Sequence, residues 1–186
     1  MRDHFHLTAD QLAASIAGIE ADLRRVSPAT EFHAVLWRDF LSQAPEAAAW
    51  LQAAFESEPG PVRAMYIELN RIDINFDSWF VEASLFSLPL NEILEDMHSN
   101  LGEYDSVYET SLELRGVHDL REAMARFADS DLWGSDDPRA KAQAIALDLV
   151  TVRMDELIAA AHVRAYEQGL PVGQIPLIAN IHDQEG

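Results

Sequence analysis

Apolar side chains recur at helical spacing through the first sixty residues. A capping-box pattern, Thr8 followed by Gln11, precedes apolar positions separated by three or four residues, which predicts an amphipathic helix. Ser27, followed by proline, is placed to begin a second helix, and Pro45 to begin a third. The expected buried positions of these helices are Leu12, Ile16, Ile19, Leu23, Phe32, Val35, Leu36, Phe40, Ala47, Trp50, Leu51, Ala54 and Phe55. The pattern therefore predicts a helical segment over residues 8–57.

The apolar period changes to two in the next segment, residues 62–115, which indicates strands. The phase of the alternation reverses at Asn70, so a bulge or turn is expected there if one face is to stay buried. Residues 79–86 are predicted to form the returning strand and residues 106–114 another. A short helix is expected between them, over residues 91–98.

Helical periodicity returns over residues 117–168. Asp137 and the following proline are expected to cap the longest helix, and Gly169 to end it. Residues 169–186 form an extended tail that is too apolar to be left in water. We expect this tail either to lie back across the core or to reach a second subunit, so a homodimer formed through it is one possible assembly.

These segments predict a single domain, residues 1–186, of the α+β class. A small antiparallel sheet of about three strands would be covered by a helical layer drawn from the N- and C-terminal parts of the chain. With 48% hydrophobic residues, the chain can bury a full core. A parallel sheet is disfavoured because the predicted strands lie together between two helical blocks.

The charge of the chain excludes several kinds of partner. Its 32 acidic residues and 13 Lys plus Arg give a net charge of −19, which opposes binding to nucleic acid or to an anionic membrane surface. We also expect no membrane span and a cytoplasmic location, because no stretch approaches about 18 consecutive apolar residues and no signal peptide is evident. Cysteine is absent, which excludes disulfides and thiolate chemistry. Phosphate-binding glycine motifs are also missing, so no cofactor is predicted.

Three alternating polar residues, Asp73, Asn75 and Asp77, match the first ligand positions of a calcium loop. The match ends there, because Ser78 occupies the position that requires glycine and Ser84 the position that requires a bidentate glutamate. Asp and Asn are also common in turns, so a hairpin turn is the preferred interpretation. A metal site at these three residues is the alternative.

Two histidines have carboxylates at helical spacing. Glu95 and His98 form one Glu-x-x-His pair, whereas di-iron helical bundles use two such pairs. On the long helix, Asp148, Asp155 and His162 recur every seven residues and therefore lie along one edge. If that edge faced a cleft it could act in acid/base or metal chemistry, and otherwise it is a solvated polar edge.

The most distinctive feature is a stretch without cations. No Lys or Arg occurs between Arg71 and Arg115, although this stretch contains ten acidic residues and two interleaved tyrosines. An anionic surface of this kind would accelerate association with a basic protein, and tyrosines add rigid contact area. The predicted partner-binding residues are Glu82, Glu92, Glu95, Asp96, Glu103, Tyr104, Asp105, Tyr108, Glu109 and Glu113.

The leading hypothesis is a non-enzymatic interaction protein, such as an inhibitor or immunity-type protein, that binds a basic partner through this acidic surface. The alternative is a metal-dependent or acid/base enzyme that uses Asp73 and Asp77 with a histidine. A third hypothesis is a small-molecule pocket lined by aromatic residues. The candidate lining residues are Trp37, Trp50, Trp79 and Phe80.

Overall fold

The chain folds as an α+β protein, as its pattern predicts. The computed structural model describes residues 8–70, 77–90, 92–93, 106–130, 132 and 136–181. The α-helices are α1 (Ala9–Arg25), α2 (Ala44–Ser57), α3 (His118–Ala128) and α4 (Pro138–Glu167). Short 3₁₀ helices span Glu31–Trp37, Leu41–Gln43 and Pro171–Gln174. The strands are β1 (Ala64–Leu69), β2 (Phe80–Phe86), β3 (Ser106–Val107), β4 (Leu112–Glu113) and β5 (Leu177–Ile181).

The predicted start of α1 is confirmed in detail. The Oγ1 atom of Thr8 accepts a hydrogen bond from the N–H of Gln11 at 3.3 Å, and Oε1 of Gln11 accepts one from the N–H of Thr8 at 2.8 Å. This reciprocal capping satisfies two N–H groups that would otherwise lack helical partners. The helix buries Leu12 and Leu23.

The second helix begins later than predicted and has 3₁₀ geometry. It starts at Glu31, because Nδ1 of His33 accepts the N–H of Thr30 at 3.0 Å and fixes the cap there instead of at Ser27. The four apolar side chains expected to be buried in this segment are indeed buried. They are Phe32, Val35, Leu36 and Phe40.

A buried arginine holds this segment against α4. Nη1 of Arg153 donates hydrogen bonds to the carbonyls of Val35, at 2.5 Å, and Arg38, at 2.7 Å. Nη2 of Arg153 lies 2.5 Å from the Glu20 carboxylate of α1. One guanidinium therefore links α1, the segment around residues 35–38 and α4, and its charge is neutralised where water is largely excluded.

The sheet is mixed and four strand positions wide, whereas three antiparallel strands were expected. β1 pairs antiparallel with β2, and β3 and β4 both pair with the other edge of β2. The fourth position is β5, which pairs parallel with β1 from Met65↔Leu177 to Leu69↔Ile181. The expectation that parallel pairing is disfavoured was wrong here, because the apolar tail returns across the core and supplies this strand.

The predicted strand over residues 106–114 is divided into two pieces. Between them, Nε1 of Trp50 donates a 2.6 Å hydrogen bond to the carbonyl of Thr110. The side-chain amide of Gln43 then bonds to the carbonyl of Glu113 at 3.1 Å and to the N–H of Arg115 at 2.8 Å. Side chains of the α2 region thus replace a neighbouring strand at this edge of the sheet.

The predicted change of phase coincides with the end of β1. The N–H of Asn70 bonds to the carbonyl of Phe80 at 3.0 Å, and Oδ1 of Asn70 accepts the Phe80 N–H at 2.9 Å. Nδ2 of Asn70 donates to the carbonyl of Ser78 at 3.1 Å. One side chain therefore replaces ladder hydrogen bonds where β1 and β2 diverge.

The core lies between one face of the sheet and the helices. Helix α4 crosses it and completely buries Leu149, Val150 and Leu157. Gly169, with φ of 70°, follows the C-terminus of α4, and the chain reverses direction there to form the tail. Gly173 then packs so closely on α4 that an added Cβ would lie 2.4 Å from the backbone nitrogen of Tyr166. None of the described helices combines the length and the apolar character needed to cross a membrane.

Candidate functional site

The strand register places three glutamates on one face of the sheet. Glu68 of β1 lies directly opposite Glu82 of β2, and Glu113 of β4 lies opposite Phe80 of β2. Because opposite residues and alternate residues of a strand share a face, the three carboxylates lie on the face away from the hydrophobic core. We call Glu68, Glu82 and Glu113 the acidic sheet face.

The acidic sheet face is only partly neutralised. Glu82 and Glu113 are exposed and Glu68 is half-buried. The Glu113 carboxylate lies 3.3 Å from Nη1 of Arg121, and no cation of the described residues pairs with Glu82. Glu68 and Glu82 occupy directly opposite positions of β1 and β2, so their side chains are neighbours on this face.

Half of the ten acids between Arg71 and Arg115 can be located. They are Asp77, Glu82, Glu92, Glu109 and Glu113, and all five are exposed. Across the described part of the chain, only Glu113 among them has an ion-pair partner. Apart from Tyr108, the other predicted partner-binding residues lie outside the described residues. These are Glu95, Asp96, Glu103, Tyr104 and Asp105.

Tyr108 is placed differently from the acids. Its ring is half-buried, packs against the hydrophobic core and lies 6.4 Å from the ring of Trp50, measured between centroids. It therefore supports the loop between β3 and β4. Glu68, by contrast, joins the acidic sheet face although it precedes the cation-free stretch, and only the pairing of β1 with β2 could have identified it.

Most of the residues of the predicted metal site lie outside the described residues. Asp77 is exposed, while Asp73, Asn75 and His98 lie outside the described residues. Within the described residues, no group of three or more His, Asp or Glu side chains is arranged to hold a metal ion.

A separate cavity of about 700 Å³ opens between α1, α4 and β5. Most of its wall is apolar, and six of the larger side chains are Leu12, Leu41, Ile158, Val163, Leu177 and Ile178. The volume falls within the range of about 300–1,000 Å³ that is usual for small-molecule sites. The cavity is thus large enough for a ligand of several non-hydrogen atoms.

Asp155 of α4 lines this cavity in an unfavourable environment for a charge. Its Oδ1 atom is buried and has no hydrogen-bond partner in the described part of the chain. Burial raises the pKa of the Asp155 carboxyl from 3.8 to about 7. Burial also raises the pKa of the neighbouring Glu156, an effect that Arg153 opposes and Asp39 reinforces. Asp155 is therefore poised to change its protonation state near neutral pH.

His162 lines the same cavity, as its spacing from Asp155 suggested, but the two do not form a pair. They are seven residues apart on one helix, which separates their backbones by about 10 Å along its axis. Nε2 of His162 lies 3.2 Å from the carbonyl oxygen of Val172 and 3.0 Å from that of Ile175. Because carbonyls only accept, Nε2 carries the proton and anchors the tail to α4. Asp148, the third residue of the series, is exposed and does not line the cavity.

The aromatic residues proposed for a pocket do not lie around the cavity beside Asp155. Trp50 and Trp79 belong to the buried core, Phe80 is half-buried on the outer face of β2, and Trp37 is 80% exposed. None of the described aromatic residues lines the cavity beside Asp155.

Comparison of the chain with protein-family models, with curated proteins and with solved structures gives no significant match. Function must therefore be inferred from the acidic sheet face, the cavity and their chemistry.

Proposed function

We propose that this is a non-enzymatic interaction protein that binds a basic protein partner through the acidic sheet face and the other exposed carboxylates of residues 77–113. The observation that carries the proposal is the exposed state of Asp77, Glu82, Glu92 and Glu109, none of which pairs with a described cation. Exposed carboxylates that pair with no cation among the described residues can form ion pairs with a partner. The net charge of −19 adds long-range attraction for a cationic surface.

An inhibitor or immunity-type role is consistent with this chemistry. Glu82 is exposed and pairs with no cation among the described residues, so a Lys or Arg of the partner can form an ion pair with it. Such an interface should associate rapidly and weaken as salt is added. Exposed carboxylates of this kind require no metal and no bound cofactor.

The test is retention of basic proteins on the immobilised chain at low ionic strength, followed by elution with a salt gradient. A double variant, Glu82→Gln with Glu109→Gln, should release the retained partner at lower salt than the wild type. The matched control is Asp10→Asn with Asp129→Asn, which removes the same charge from two exposed positions, in the first turn of α1 and just after α3. If both variants shift elution equally, net charge and not this surface controls binding, and the proposal fails.

A further inference from the structure

The cavity beside Asp155 has an acidic wall as well as an apolar one. Three carboxylates line it, Asp155, Glu156 and Glu167, against one guanidinium, Arg164. The fifth titratable lining residue, His162, already donates its Nε2 proton to two backbone carbonyls. All five belong to α4, and the lining residues from α1, the 41–44 segment and β5 carry no titratable side chain. The cavity therefore favours a ligand with a positive charge.

Asp155 lacks the neighbour that a buried carboxylate needs. Its Oδ1 atom is buried and accepts no hydrogen bond from the described residues, while the residue itself is only partly buried and lines the cavity. Arg164 lies nine residues further along the same helix, which is about 13 Å along the axis. A buried carboxylate without a cation or donor is costly, and a cationic donor entering the cavity would offset that cost.

We propose that this cavity binds a small aliphatic primary amine, with its alkyl chain against the apolar wall and its ammonium group beside the Asp155 carboxylate. A quaternary ammonium ligand is a poorer fit, because such groups are usually held by aromatic faces and none of the described aromatic residues lines the cavity. A primary ammonium instead supplies three N–H donors, which suits a carboxylate that lacks partners.

An aliphatic carboxylate is the opposing possibility. The first turn of α1 reaches the cavity at Ala9, and a helix N-terminus favours anions. However, the N–H of Gln11 already bonds to Thr8, and two further lining carboxylates, Glu156 and Glu167, would repel an anionic ligand. The negative charge of the cavity wall therefore favours an amine over a carboxylate as the ligand.

The raised pKa of Asp155 gives the proposal a pH signature. An ammonium ion stabilises the ionised carboxyl, so amine binding should displace the proton that Asp155 holds near neutral pH. The affinity for the amine should rise roughly tenfold between about pH 6 and pH 8, as the carboxyl of the free protein ionises. Near pH 7, binding should release about half a proton per amine bound.

The experiment is isothermal titration calorimetry with hexylamine, hexanoate and hexanol, in buffers of different ionisation enthalpy. Hexylamine should bind with a Kd of about 1 mM or tighter, while hexanoate and hexanol should bind at least about tenfold more weakly. Asp155→Asn keeps the shape of the side chain and should weaken hexylamine binding about tenfold or more while abolishing proton release. Asp148→Asn, two turns earlier on α4 and outside the cavity, should change neither quantity.

Three results would overturn the proposal. They are an absence of saturable hexylamine binding, equal or tighter binding of hexanoate or hexanol, and unchanged binding by Asp155→Asn. Circular dichroism of each variant confirms that it is folded before titration. Since neither variant alters the acidic sheet face, this outcome is independent of partner binding through that face.

Discussion

Burial of Asp155 should make the stability of the protein depend on pH in a specific way. When the chain unfolds, this carboxyl titrates near its ordinary pKa of 3.8, whereas in the folded protein it holds its proton up to about 7. The stabilising effect of that proton is complete below the unfolded pKa and is lost as pH rises through the folded value. The difference between the two pKa values corresponds to about 4 kcal/mol of unfolding free energy.

Asp155→Asn removes the titrating group while preserving its shape. Because asparagine stays neutral, the variant should be more stable than the wild type at alkaline pH, by up to about 4 kcal/mol. Between about pH 5.5 and pH 8.5 its advantage should grow by about 2 kcal/mol, since part of the effect has developed below that interval. Taking the difference between variant and wild type cancels the titration of the other acids.

Urea unfolding followed by circular dichroism at these two pH values measures the effect. Asp148→Asn is the control, because Asp148 is exposed on the same helix and has no place in the cavity wall. If the advantage of Asp155→Asn is the same at both pH values, then Asp155 is ionised in the folded protein. The assignment of a buried, protonated carboxyl would then be wrong.

Two paired substitutions test the packing. Arg153→Met should destabilise the fold by about 3 kcal/mol, because it leaves buried carbonyls without a donor. Arg24→Met removes the exposed partner of the same Glu20 carboxylate and should destabilise the fold by less than about 1 kcal/mol. Urea denaturation separates these outcomes, and equal losses would contradict the role given to Arg153. Gly173→Ala should destabilise by about 1–3 kcal/mol through its clash with α4, whereas Gly18→Ala, in open space on α1, should stabilise by about 0.5–1 kcal/mol. Thermal melting measures both, and a neutral Gly173→Ala would show that the tail packs loosely.

Local signals predicted the helices well, because caps and periodicity act within a few residues. The capping pair of Thr8 and Gln11 located the start of α1, and Asp137 caps α4 through a 2.7 Å hydrogen bond to the N–H of Arg139. The same reasoning failed at Ser27, because Thr30 and His33 form a capping pair a few residues later and the helix begins there instead.

The sequence predicted less of the candidate site than of the fold. Seven-residue spacing correctly placed Asp155 and His162 along one edge of α4, and both line the cavity. Spacing could not show that part of this edge lines a cavity, since the other walls of the cavity come from α1, residues 41–44 and β5. Nor could it identify Glu68, whose position beside Glu82 follows from strand register.

The parallel pairing of β5 with β1 has a consequence for how the protein is made. Met65 and Leu177 are more than a hundred residues apart in the chain, yet they are neighbours in the sheet. A ribosome must therefore synthesise almost all of the described chain before the outer edge of β1 gains its partner, and closing so long a loop slows folding. During that interval the hydrogen-bonding groups along β1 are open to strands of other nascent molecules, so molecular chaperones have a defined edge to protect.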